Sequence, residues 1–216
     1  MALYADRRAA GRELAAALER WRDTDAVVLG IPRGGVVVAA AVAEELSLEL
    51  DAVVVRKLGA SGHEEFAVGA IADGVRIVTP GAVRWAGMSS RDLERVEASE
   101  RDELARRTDA YGSRLEHLSG RTALVVDDGV ATGASAVAAC QALRMRDPER
   151  IVLAVPVAPE TWEPPADAVD EFICPHREPD FWAVGQYYDD FGQTSDAEVV
   201  ALLSAASAGP ATERDR

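Results

Sequence analysis

The feature that most constrains the fold is a set of short apolar runs, Ala26–Ile31, Ala52–Val55, Leu124–Val126 and Ile151–Val157, with helical stretches between them. Each run is too short for a buried helix and lacks polar alternation, so it suits a strand covered on both faces. The spacers read as helices. Ala10, Leu14, Ala17, Leu18 and Trp21 recur at helical spacing behind Asp6, a good N-cap. Val36–Leu46 and Ala134–Met145 are rich in alanine, and Ser89–Leu118 is laced with acid–base pairs at helical spacing. Ser195-Asp196-Ala197-Glu198 is a capping box for a last helix. Residues 67–79 predict a hairpin about Asp73-Gly74, and Glu171–Ile173 another short strand. This alternation predicts an α/β fold, a mostly parallel, Rossmann-like open sheet flanked by helices. The expected divisions are an N-terminal helix at 1–21, a core at 22–173, a proline-broken C-terminal segment at 174–207 and a disordered tail at 208–216.

Composition narrows the partners. The 216 residues carry a net charge of −14, and the sign is unevenly placed. Residues 160–216 hold 13 acids against 3 bases, whereas residues 1–159 hold 24 against 20. So acidic a chain predicts no nucleic-acid and no membrane partner, because both reward clustered Lys and Arg. Cys140 and Cys174 are too few for a disulfide framework or zinc cluster, and both read as apolar packing residues. The opening segment lacks the apolar stretch of a signal peptide, and no run matches a membrane span, so a cytoplasmic location is expected. Lys57 is the only lysine, against 22 arginines. In open parallel sheets ligands bind beyond the carboxyl ends of the strands, which directs attention to residues 31–35, 56–66 and 127–135.

The strongest motif is Val125-Val126-Asp127-Asp128-Gly129-Val130-Ala131-Thr132-Gly133-Ala134-Ser135. A buried strand delivers two carboxylates, and a turn of small residues then runs into a helix. Small residues let backbone amides approach an anion, Thr132 and Ser135 add hydroxyls, and the helix start aims N–H groups at the same place. That combination suits a phosphate monoester. The carboxylates would repel a phosphate beside them, so they require sugar hydroxyls or the water shell of a metal ion. A ribose 5-phosphate group satisfies both halves.

Residues 124–135 resemble the phosphoribosyl pyrophosphate (PRPP) signature of type I phosphoribosyltransferases, with Thr-Gly-Ala-Ser where the family has Thr-Gly-Gly-Thr or a variant. The resemblance covers most of residues 22–195 and implies that family's fold with a small hood. It implies that Asp127 and Asp128 meet the ribose, and that Gly129, Ala131, Thr132, Gly133, Ala134 and Ser135 hold the 5-phosphate. Gly30-Ile31-Pro32-Arg33-Gly34-Gly35 is similar to the pyrophosphate loop, with Arg33, Gly34 and Gly35 as its contacts. Arg56 and Lys57 stand where the family meets the leaving diphosphate. Leu58 to Phe66 resembles the mobile loop that closes over the site, and its Glu64, Glu65 or His63 could act as base. Mg²⁺ is the implied cofactor, bound through few protein ligands, with Asp128 and Asp189 meeting it through water.

The acceptor side rests on Pro179–Asp189, which looks like the hood of the 6-oxopurine enzymes. In that alignment Trp182 stacks on the acceptor, Val184 offers backbone and Asp189 an acid. Two departures weaken a purine assignment: Ala131 replaces the acidic general base, and Ile151–Val157 lacks a lysine. The implied activity is transfer of the 5-phosphoribosyl group from PRPP to a small-molecule acceptor, nucleobase-like or amine, with release of pyrophosphate. A PRPP-sensing regulator without efficient transfer and a nucleotide phosphoribohydrolase stay open, and a homodimer is the expected assembly. The acidic hood is expected to disfavour anionic acceptors.

Overall fold

The computed structural model describes residues 2–60, 63–112, 115 and 118–207, with the backbone alone for 63–66. The tail at 208–216, Ser61, Gly62, His117 and the side chains of His63, Glu64 and Glu65 lie outside the described residues. In chain order the elements are α1 (Arg7–Ala17), β1 (Val27–Gly30), α2 (Gly34–Leu46), β2 (Glu49–Ala52) and β3 (Val55–Ala60). Then come β4 (His63–Ala72), β5 (Val75–Val78), α3 (Pro80–Trp85), α4 (Ser90–Tyr111), β6 (Thr122–Val126) and α5 (Ala134–Arg144). The chain continues through β7 (Arg150–Ala154), β8 (Val157–Pro159), β9 (Glu171–Ile173), β10 (His176–Glu178) and α6 (Asp196–Ser207).

The expected sheet is present. Five strands lie in the order β2-β1-β6-β7-β9, and each neighbouring pair runs parallel. Alternate residues of the central strands feed two cores, as the pleat requires. Val28, Leu124, Val126 and Val152 face α1, α2, α4 and α6, whereas Leu29, Val125, Ile151 and Leu153 face α5. Complete burial of such a side chain contributes about 1.5–3 kcal/mol. That is why an unbroken apolar run marks a strand of this kind. On the first face α1 and α2 meet at Gly11, where a Cβ would lie 2.6 Å from the Val38 carbonyl oxygen. Only glycine permits that approach. Asp6 caps α1 by accepting the Ala9 N–H at 2.7 Å.

Several boundaries depart from the sequence expectations, each for a physical reason. The second strand is Glu49–Ala52, not Ala52–Val55. It is an edge strand paired with β1 alone, so Glu49 and Asp51 can point away from the core while Leu50 and Ala52 are buried. Arg56 to Ala60 are not a loop but belong to β3, which pairs antiparallel with β4, and β4 pairs with β5 about Asp73-Gly74 as expected. The helix predicted over Ser89–Leu118 stops at Tyr111, because Gly112 adopts the left-handed conformation that closes a helix. Its Ser89–Asp92 capping box is complete. The run Ile151–Val157 divides at Val155-Pro156; β7 ends at Ala154, and Val157 starts β8, which pairs with β10 outside the main sheet. Pro156 has no N–H to continue a ladder.

Candidate active site

Two loops leave the carboxyl ends of adjacent strands. Gly30 of β1 and Val126 of β6 are register partners, and the Ile31 N–H still reaches the Val126 carbonyl at 2.9 Å. The first loop, Ile31 to Arg33, enters α2 at Gly34 and includes a cis peptide between Pro32 and Arg33. The second, Asp127 to Gly133, enters α5 at Ala134. They touch closely: a Cβ on Gly35 would lie 2.8 Å from Asp127 Oδ1, and one on Gly34 only 2.1 Å from Asp128 Oδ2.

The second loop is rich in unused donors. Among the described residues, the N–H groups of Ala131, Thr132, Gly133, Ala134 and Ser135 have no protein acceptor, and the Thr132 and Ser135 hydroxyls make no hydrogen bond. Val130 anchors the start of the turn by donating its N–H to the Val157 carbonyl at 3.0 Å, and Gly133 turns it with φ +78°. The N–H groups of Arg33, Gly34 and Gly35 are likewise without an acceptor among the described residues. A run of N–H groups at a helix start is an anion cradle. Two such cradles therefore flank the paired acids.

The acids are half-buried, and their environment disfavours ionisation. Burial pushes Asp127 well above the usual carboxylate range; the Asp128 charge adds to the rise, and Lys57 and Arg7 oppose it. Burial raises Asp128 as well, with Arg7 as the chief opposing charge. Asp127 Oδ1 accepts the Asp128 N–H at 2.9 Å, and Asp128 Oδ2 accepts Arg7 Nε at 2.7 Å. The other oxygen of each carboxylate has no hydrogen bond among the described residues. Below them, the Tyr188 hydroxyl donates to the Asp128 main-chain carbonyl at 2.6 Å. Burial pushes that phenol upward, so it stays a donor.

The family model for the phosphoribosyl transferase domain matches residues 3–191. The chain belongs to this family. A Mycobacterium tuberculosis protein described as a candidate phosphoribosyl transferase is 45% identical over 210 residues, covering 95% of this chain and 47% of that protein. The chain thus spans about half the length of the curated relatives it matches. The crystal structure of the Thermus thermophilus protein TT1426 is similar with a TM-score of 0.70 and 42% identity, covering 94% of this chain and 98% of that one. The parallel sheet with helices on both faces is the α/β open-sheet fold expected from the sequence.

Within this phosphoribosyltransferase domain most sequence-singled residues converge. Asp127, Asp128, Gly34, Gly35 and the turn from Gly129 to Ser135 lie together, and the Lys57 charge is felt at both acids. Arg33 immediately precedes α2, and its charge registers at the Tyr111 phenol. Arg56 does not join them. It points to the opposite side of β3 from Lys57 and pairs with Glu100 of α4 at 2.7 Å. In the hood, Val184 abuts Gly129, where a Cβ would meet its Cγ1 at 2.7 Å. Trp182 is 89% exposed, and Asp189 is exposed with its N–H held by the Tyr4 carbonyl at 2.9 Å. Tyr187 and Tyr188 are packing residues, buried with Tyr4 and Val157.

Two neighbours of the site went unnoticed in the sequence, Arg7 and Trp162, whereas Tyr188 was read only as part of the hood segment. The Trp162 indole fills the space beside Gly133, where a Cβ would fall 2.2 Å from its ring, and its Nε1 donates to the Thr132 carbonyl at 3.3 Å. Arg7 reads in the sequence as one more surface base of an amphipathic helix. A Trp within a proline-broken segment was the only available signal for Trp162. Among the described residues no helix is long and apolar enough to cross a membrane.

Proposed function

We propose that this domain binds PRPP and transfers its 5-phosphoribosyl group to the nitrogen of a nucleobase-like or amine acceptor, releasing pyrophosphate. The observation that carries the reading is the run of unpartnered donors at 131–135, directly after two acids that each keep one open oxygen. The donors suit the 5-phosphate, and the open carboxylate oxygens suit the vicinal ribose hydroxyls. The second cradle at Arg33, Gly34 and Gly35, with Lys57 near the acids, suits the diphosphate.

In the reaction the bond from ribose C1 to the diphosphate oxygen breaks, and its electron pair leaves with pyrophosphate. A bond from the acceptor nitrogen to C1 forms, and the acceptor proton passes to a base, for which Glu65 is the sequence candidate. Positive charge grows on the ribose and negative charge on the leaving group, so fixed charges do most of the work. Asp127 and Asp128 orient the ribose and offset its charge; Arg33 and Lys57 offset that of the diphosphate. The phosphate cradle holds the far end of the sugar and so orients C1.

The donors present fit Mg²⁺. Asp127 and Asp128 supply hard oxygens, and among the described residues no three His, Cys, Asp or Glu side chains converge into a cage. Mg²⁺ keeps most of its waters and takes substrate phosphate oxygens, and in this reading Asp128 and Asp189 meet it through water. When bound, Mg²⁺ neutralises diphosphate charge. Trp182 and Val184 are the acceptor-side residues of this reading.

The test incubates the protein with Mg²⁺, PRPP and a panel of bases and amines and records pyrophosphate release. Release with one acceptor, abolished in Asp128→Asn, supports the transferase. PRPP binding without turnover across the panel points to a sensor, and pyrophosphate release without any acceptor to hydrolysis. Unchanged PRPP affinity in Thr132→Val/Ser135→Val would overturn the phosphate cradle.

A further inference from the structure

Arg7 is the first residue of α1, yet its side chain reaches the centre of the site. Its Nε donates to Asp128 Oδ2 at 2.7 Å, and its Nη1 donates to the Gly192 carbonyl at 2.7 Å. The guanidinium also lies over the Phe191 ring, 3.9 Å from the centroid. Only 12% of the side chain is exposed, and a Cβ on Gly34 would come within 2.7 Å of its Nε. One planar group therefore touches the signature acid, the turn that opens α2 and the segment following the hood. Three partners in fixed directions suit a guanidinium, which is planar and carries rigidly forked donors. An ammonium lacks the planar face that stacks on Phe191 and the fixed fork that aims two donors at Asp128 and Gly192.

We propose that Arg7 is a positioning residue of the ribose site, a role that rests on the phosphoribosyl reading above. It holds one oxygen of Asp128, leaves the other for a ribose hydroxyl, and ties that carboxylate to Phe191 and Gly192. Arg7 acts through Asp128 rather than on the diphosphate. This distinction can be measured, because the two halves of PRPP exist as separate ligands. Losing Arg7 frees the Asp128 carboxylate to rotate, which weakens ligands that carry the ribose and spares those that do not.

The experiment measures binding of PRPP, ribose 5-phosphate and inorganic pyrophosphate by titration calorimetry with Mg²⁺ present. The proteins are wild type, Arg7→Met, Arg7→Lys and Arg12→Met, the last an exposed base on the same helix. Expected for Arg7→Met is a roughly tenfold loss for PRPP and ribose 5-phosphate, with pyrophosphate within twofold, consistent with losing a charged hydrogen bond. Arg7→Lys should recover part of the loss, and Arg12→Met should match wild type. A general structural lesion would weaken all three ligands alike and so overturns the role. Loss for pyrophosphate alone would make Arg7 a diphosphate ligand, and equal affinities in Arg7→Met and wild type would remove it from the site. If Arg7→Met does not fold, Arg7→Lys decides: affinities equal to wild type for all ligands refute the need for a fork. Wild-type protein that binds no PRPP refutes the functional reading itself, which is a different result from a normal wild type with an unaffected variant.

Discussion

Gly34→Ala isolates the packing between the first loop and the acids. Gly34 has no positive φ, so alanine meets no backbone penalty there, and the whole effect comes from one methyl group. That methyl would sit 2.1 Å from Asp128 Oδ2 and 2.7 Å from Arg7 Nε, where ordinary contact begins at 3.4 Å. The carboxylate must therefore move by about 1.3 Å, which is enough to break a 2.7 Å charged hydrogen bond. With the pair only 12% and 15% exposed, water replaces little of what is lost. A charged hydrogen bond contributes about 1.5–3 kcal/mol, and replacing glycine in a helix returns at most about 1 kcal/mol. The net cost is about 1–2 kcal/mol, or roughly 5 °C in Tm for a domain of this size. Scanning calorimetry should show that drop, and PRPP affinity should fall about tenfold as Asp128 leaves its place. Gly81→Ala in α3 has nothing within 4 Å of the new Cβ and serves as the control, with Tm at or slightly above wild type. If Gly34→Ala melts with wild type and binds PRPP equally well, the close approach of loop and acid is not what holds the site together.

Two further outcomes follow from buried or paired titratable groups. Burial pushes the Cys140 thiol up to about 12 and the Cys174 thiol up to about 11, so at pH 8 only about one Cys174 in a thousand is thiolate. Ellman's reagent should react slowly with native protein and at once in guanidinium; rapid native labelling would refute that burial. Asp170 is held below the usual carboxylate range by its hydrogen bond from Arg144 and, after burial's opposing effect, by the Ile151 N–H at 2.7 Å. A lowered carboxylate stabilises the fold above its unfolded value near 4 and loses that contribution as pH falls through the folded value. Asp170→Asn should cost about 0.5–1 kcal/mol at pH 7, a modest figure for a pair this exposed, and the gap in Tm should narrow as pH falls below the unfolded value of about 4. A gap that stays constant from pH 7 to 3 would show that the charge of Asp170 is irrelevant.

The central sheet was legible because its strands are buried on both faces, and an apolar run of Val, Ile and Leu has few other uses. The acids and the turn at 129–135 were legible for a related reason, since adjacent carboxylates on such a strand have no structural purpose. The edge strand Glu49–Ala52 was harder to read. One partner and half a covering leave its Glu and Asp free, so the apolar residues just after it looked more strand-like. The hairpin of β3 and β4 was hidden because Arg56, Lys57 and Gly59 resemble loop residues when their cross-strand partners are unknown. Arg7 was invisible for a deeper reason. Its partner Asp128 is 121 residues away, and nothing local marks one base of an amphipathic helix as the one that turns inward.

Paired acids at the end of a buried strand pose a physical problem before any ligand arrives. Burial and mutual repulsion both work against charge on Asp127, and the pair must still present acceptor oxygens. The chain answers with cations from two distant segments, Arg7 of α1 and Lys57 of β3, rather than from the loop that carries the acids. Had those cations been placed in the turn at 129–135, they would have filled the cradle with side chains and occupied its donors' space. Keeping the turn small and uncharged leaves its N–H groups open, and bringing charge from elsewhere lets one oxygen of each acid stay free. α1 is therefore bound into the site electrostatically as well as through Tyr4, whose hydroxyl donates to the Pro156 carbonyl at 3.1 Å. A chain lacking α1 would keep the signature Asp127-Asp128 but lose the charge that chiefly opposes burial at Asp128, and that carboxyl would be driven further towards its neutral form. The helix that looks like a cover on the sheet supplies the guanidinium that opposes the burial of the acids, without cancelling it.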